Sequence, residues 1–142
     1  MGITWSKILS TGLPWQDAQH IELFNRVGAL LDAINKGQGA EEVEGLFTFL
    51  DEYFVFHFAA EEEAMHGANY PDTTKHMTEH HKFIDDVARL RREGISGSPA
   101  AELIKKMEGA MVDWLVNHIG GMDKEVGGFL IKFEHTKKVE QG

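Results

Sequence analysis

With 142 residues, 42% of them hydrophobic, the chain has the size of one domain able to build a core without staples. It has no cysteine, which excludes disulfides, thiolate metal sites and cysteine nucleophiles and leaves nitrogen and oxygen to hold any metal. Its net charge of -9, with no long basic run, argues against nucleic acid and against anionic membrane surfaces as partners.

The opening MGITWSKILSTGLPW has one lysine and no sustained apolar stretch, so it reads as neither a secretory signal nor an anchor. No later stretch reaches the roughly 20 apolar residues of a membrane span, and a cytoplasmic protein is the expectation. Residues 1–16 predict an irregular arm that packs across the fold through Trp5, Ile8, Leu9, Leu13 and Trp15, with Gly12 and Pro14 opposing helix. Asp17 is the expected cap of a first helix that stops before Gly37-Gln38-Gly39. A second helix runs from about Ala40 to His66, opening on Glu41, Glu42 and Glu44, which suit the positive end of its dipole. A third starts near Asp72 and closes on Arg91 and Arg92. Ser98-Pro99 predicts the start of the fourth, a capping serine followed by proline at the first helical position, and Gly120-Gly121 its end. Val126, Phe129, Leu130 and Phe133 recur at helical spacing in a short segment expected to fold back. Four long helices with short loops predict an all-α, up-down-up-down antiparallel four-helix bundle with an N-terminal arm and a short C-terminal fifth helix. As one domain over 1–142, its parts are the arm (1–16), the bundle (17–120), the C-terminal helix (121–136) and a tail (137–142).

Each helix carries polar residues on its apolar stripe. His57 and Glu61, and His76 and His80, stand four apart, so each pair lies on one helical face. His20 leads the stripe Leu23, Phe24, Val27, Leu31, Ile34, and His118 ends the stripe Leu103, Met107, Met111, Trp114, Leu115. A lone histidine on such a stripe is more often a hydrogen-bonded core or boundary residue, and His66, His81 and His135 keep that reading. Glu61 differs, because an ionised carboxylate buried without a partner costs several kcal/mol, and a cation removes that cost. Asp123 is weak alone and gains weight from following His118 by five positions, just past the expected helix end. Together His20, His57, Glu61, His76, His80, His118 and Asp123 have the makings of one two-metal cage. Seven donors overfill a zinc site, and the single Glu-x-x-His match, Glu63 to His66, falls short of a carboxylate-rich di-iron site. Nucleotide-binding loops, G-x-S-x-G and H-E-x-x-H are absent.

The whole pattern resembles the hemerythrin family in its bacterial single-domain form. The resemblance rests on Trp5, Asp17-Ala-Gln-His20-x-x-Leu23-Phe24, His57-Phe58-x-x-Glu61-Glu62-x-x-Met65, Tyr70-Pro71 leading to His76-x-x-x-His80-x-x-Phe83, and Trp114-Leu115-x-x-His118-Ile119-x-x-x-Asp123. Departures are peripheral: Trp15-Gln16 stands where an acidic-apolar pair is common, and Val126-Gly127-Gly128 where a tyrosine often follows the aspartate.

The resemblance implies two iron ions cycling between Fe2+ and Fe3+, joined by an oxo or hydroxo bridge, with dioxygen as ligand. It assigns His76, His80 and His118 to one iron, His20 and His57 to the other, and Glu61 and Asp123 to both. One iron then has six donors and the other five, which leaves one open position for oxygen. Five neutral imidazoles against two carboxylates disfavour high-valent iron, so binding is expected to be reversible and non-enzymatic. Leu23 and Leu115, with Phe58, Trp114 and Ile119, are the expected dry lining. The function implied is oxygen storage, delivery or scavenging; the alternatives are an oxygen or redox sensor acting through a separate protein, and a di-iron enzyme reducing nitric oxide or peroxide. Dioxygen is the expected partner, with no nucleic acid and no membrane, in a monomer or weak oligomer.

Overall fold

The computed structural model describes residues 4–97 and 99–141, which are almost wholly helical. The helices are α1 (Pro14–Asn35), α2 (Ala40–Gly67), α3 (Thr73–Ile95), α4 (Ala100–Met107), α5 (Trp114–His118) and α6 (Lys124–Gln141). α4, α5 and α6 are joined without a break by two wide π turns, Glu108–Asp113 and Ile119–Asp123. α1 packs on α2 and α4, and α3 packs on the same two, so four antiparallel rods close a ring. No described helix is long and apolar enough to cross a membrane.

Three boundaries differ from those the sequence predicts. α1 begins at Pro14, three residues before Asp17, because proline is pre-shaped for the first helical position and lacks only an N–H that would go unpaired there. Asp17 is therefore inside the helix, and its carboxylate instead accepts the Thr11 N–H at 2.9 Å and the Ser10 hydroxyl, tying the arm to the first turn. Ahead of α4, the predicted cap Ser98 lies outside the described residues, and Pro99 precedes the first helical residue instead of occupying it. Gly120-Gly121 do not end a helix: both sit inside the second wide turn, and the chain continues helical to Gln141 instead of folding back.

The other ends follow from local chemistry. Gly37, in the left-handed region at φ 72°, lets Gln38 N–H reach Ala33 O at 3.1 Å and closes α1. Asn69, at φ 53°, does the same after α2, with Tyr70 N–H on Met65 O at 2.9 Å.

The apolar core forms two clusters. The larger fills the bundle with Leu23, Phe24, Leu30, Phe47, Leu50, Phe54, Phe83, Met107, Met111 and Leu115. The smaller joins Leu13, Met65, Ala68, Tyr70, Val126 and Leu130. The order alternates as antiparallel rods require, from the smaller cluster to the larger between Leu13 and Leu23 and between Tyr70 and Phe83, and the reverse between Phe58 and Met65 and between Ile119 and Val126. The segments between these pairs hold His20, Glu61, His76 with His80, and Asp123, with His57 and His118 next to Phe58 and Ile119 at the edge, so the polar donors occupy a layer between the two apolar clusters.

Candidate metal centre

All seven predicted donors are at most 5% exposed, and the only other buried polar side chains among the described residues are Thr11 and Gln16. Six come from α-helical faces. Asp123 needs a different device, since five residues along an α-helix turn a side chain about 140° away from its starting face. The π turn Ile119–Asp123, with its i→i+5 spacing, brings Asp123 back beneath His118. Asp123 is thus inside the helical run, where the sequence had suggested a position beyond its end.

The two carboxylates face two nests of imidazoles. Glu61 Oε1 lies 3.2 Å from His80 Nε2 and 3.5 Å from His76 Nε2. Its Oε2 lies 3.1 Å from His57 Nε2 and 3.4 Å from His20 Nε2. Asp123 Oδ1 lies 3.0 Å from His76 Nε2 and 3.2 Å from His118 Nε2, while Oδ2 is 3.0 Å from His20 Nε2. His118 Nε2 also stands 3.2 and 3.3 Å from Nε2 of His76 and His80. Two overlapping sets result, with Glu61 and Asp123 in both: one adds His76, His80 and His118, the other His20 and His57.

The donor chemistry fits cations. Glu61 Oε1, both Asp123 oxygens and His20 Nε2 are buried and close to complementary atoms, yet none makes a hydrogen bond. They converge on shared points instead of on one another. Donors about 2.1 Å from a common ion stand about 3 Å apart at right angles, which is the spacing seen here. His57 Nδ1 donates to Gln19 Oε1 at 2.7 Å and His80 Nδ1 to Glu62 Oε2 at 2.9 Å, so the Nε2 lone pair of each ring faces the cluster.

The electrostatics of the bare cluster are those of a cation trap. Burial pushes Asp123 up, as does neighbouring Glu61, but contacts with His118, His20 and His76 hold it well below the usual carboxylate range. Glu61 is held low in the same way, burial being outweighed chiefly by His57. Burial lowers His20 and His76, and Asp123 with Glu61 more than offsets it, raising each to about 9.

Leu23, Leu115, Ile119 and Phe58 are buried, at 3% exposure or less. Trp114 is half-buried, its indole stacked on His118 at 4.3 Å and on Phe83 at 4.0 Å. Phe58 stacks on His80 at 3.9 Å. His66, His81, His135 and Glu63 are exposed and outside the cluster. Three residues to which the sequence assigns no role support the donors. Gln16 donates to Glu61 Oε2 at 2.8 Å, and Gln19 and Glu62 hold the rings just described. Gln16 was detectable in principle, since it stands four before His20 and shares its inward face.

Fold and site together define a class: a helical bundle built around a buried, cysteine-free cluster of imidazoles and shared carboxylates. Residues 11–130 match the family model described as the hemerythrin HHE cation binding domain. Bacteriohemerythrin of Methylococcus capsulatus is 33% identical over 126 residues, covering 88% of this chain and 94% of that protein. A hemerythrin-like protein of Naegleria gruberi is 32% identical, covering 89% and 92%. The crystal structure of wild-type hemerythrin superimposes with a TM-score of 0.78 at 30% identity, over 90% of this chain and 97% of the other. The chain belongs to the hemerythrin family, which binds oxygen at a non-haem di-iron site.

Proposed function

We propose that this chain is a single hemerythrin-like domain over 1–142 that binds dioxygen reversibly at a di-iron centre, for storage, delivery or scavenging, in the cytoplasm and without turnover. The observation that carries this reading is the inequality of the two nests. Each carboxylate directs its two oxygens to different nests, but one nest has three imidazoles and the other two. His76, His80 and His118 would hold one iron, His20 and His57 the second, with Glu61 and Asp123 shared. Two irons held there would supply the electrons for reversible dioxygen binding.

The chain's own residues account for the rest. The shorter donor set leaves room for a ligand beside His20 and His57, so small-molecule binding belongs to that side. Leu23, Leu115, Ile119 and Phe58, with the Trp114 ring, exclude water, which limits proton-assisted loss of electrons to oxygen. Gln19 and Glu62 hold the rings of His57 and His80 in the tautomer that ligates. Five neutral imidazoles against two carboxylates would keep an iron pair held there too electron-poor to favour higher oxidation.

Oxygen titration of the reduced, iron-loaded protein tests this. One dioxygen per two irons, recovered on sparging with inert gas, is expected. Continuous oxygen, nitric oxide or peroxide consumption with an electron donor would replace the carrier reading with an enzymatic one.

A further inference from the structure

The two sides of the cluster differ in a buried group that the donor set does not require. Gln16 is 0% exposed, and its Nε2 donates to Glu61 Oε2 at 2.8 Å. Its Oε1 is buried with no partner. Turned the other way, the carboxamide would set its oxygen against a carboxylate oxygen at that distance, so the contact fixes the nitrogen toward Glu61. The side chain holds this orientation although its own acceptor goes unpaired, an arrangement that packing alone does not favour. The hydrogen bond falls on one oxygen only. Oε2 faces His20 and His57, whereas Oε1, facing His76 and His80, has no hydrogen bond.

We propose that Gln16 is a positioning residue that lowers the oxygen affinity of the two-histidine side through its hydrogen bond to Glu61 Oε2. The inference rests on the oxygen-binding reading above. A hydrogen bond donated to a ligating carboxylate draws electron density from it, makes it a poorer donor and favours the lower charge on the metal. Reversible oxygen binding at an iron pair held here would draw on its electrons, so a group that favours the ferrous state would weaken binding and speed release. The outer partners act in the same sense: His57 rests on the neutral amide of Gln19, whereas His80 rests on the carboxylate of Glu62. The open side is flanked by two uncharged amides and the closed side by a negative charge, so electrons are held more tightly where oxygen binds.

Two variants of different shape, Gln16→Met and Gln16→Ile, remove the donor and fill the space with apolar atoms. Three quantities are read: oxygen half-saturation pressure, midpoint potential of the di-iron centre, and melting temperature of the metal-free protein. Both variants are expected to bind oxygen roughly tenfold more tightly, a change worth about 1.4 kcal/mol, and to shift the potential to more negative values. The metal-free melting temperature should hold or rise, because the unpaired amide oxygen is gone. Wild-type affinity and potential in both variants, or a lower melting temperature with unchanged potential, would overturn the proposal in favour of plain packing. An iron-loaded wild type that takes up no oxygen overturns the functional reading instead, and the potential shift still decides the role of Gln16.

Discussion

Loading the metal-free protein with divalent ions should expel protons in a number fixed by the buried charges. Glu61 and Asp123 are held well below the usual carboxylate range and stay ionised, while His20 and His76 are raised to about 9. Near pH 8 both His20 and His76 therefore carry a proton in the bare cluster. A metal accepts only the neutral ring, so both protons must leave. With each group about nine-tenths protonated at that pH, release of about 1.8 protons per chain is expected from this pair, plus one where a bridging water ionises. The stability of the metal-free protein follows the same groups. A histidine raised from 6.5 to about 9 stabilises the fold fully below 6.5 and loses that contribution as pH rises through about 9. The gap amounts to about 3 kcal/mol for each residue. Proton release is read with an indicator dye in weak buffer while ions are added without oxygen, and stability is read from urea unfolding between about pH 6 and 10. Fewer than one proton per chain near pH 8, or metal-free stability that is flat across that range, would refute the charge assignment.

Three further outcomes test separate parts of the structure. Glu61→Ala removes the carboxylate common to both nests, and iron content after gel filtration should fall to about one ion per chain or less; two tightly held irons would show that Glu61 is dispensable. Leu115→Ala, at a site only 1% exposed, should cost about 2–5 kcal/mol and admit water, so the protein loses oxygen-binding capacity in air faster than wild type; an unchanged rate would show that Leu115 does not guard the site. Gly127→Ala would place a Cβ 2.7 Å from the Thr11 carbonyl oxygen and Cβ. Backbone cannot yield there as a flexible side chain does, so a loss of about 1–3 kcal/mol is expected in thermal unfolding despite alanine's better helix propensity, and a raised melting temperature would mean that the arm does not pack on α6.

Much of this molecule was legible because its chemistry obeys the α-helical period. His57 with Glu61 and His76 with His80 stand four apart on apolar stripes, and the loops after α1 and α2 carry the residues that left-handed geometry favours. What was misread departs from that period. Asp123 follows His118 by five, a spacing that in an α-helix faces away, and Gly120-Gly121 read as the end of the helix before it; the π turn brings Asp123 inward with the helix intact. Asp17 was misplaced as a cap because an acid near a helix start serves the dipole equally from inside the first turn, and Pro14 set the true start. Gln16 stands out in the sequence only as a departure from the family pattern, because a neutral amide on an apolar stripe raises no charge problem, and its contact with Glu61 is what shows its place.

The most direct test of the central claim is the visible absorption spectrum of the anaerobically reduced, iron-loaded protein, recorded before oxygen, under oxygen, and after oxygen is swept away. Charge-transfer bands that appear with oxygen and vanish with its removal, at two irons per chain, are what the account requires. Bands that collapse irreversibly to a ferric spectrum, or no bands at all with two irons bound, would contradict it.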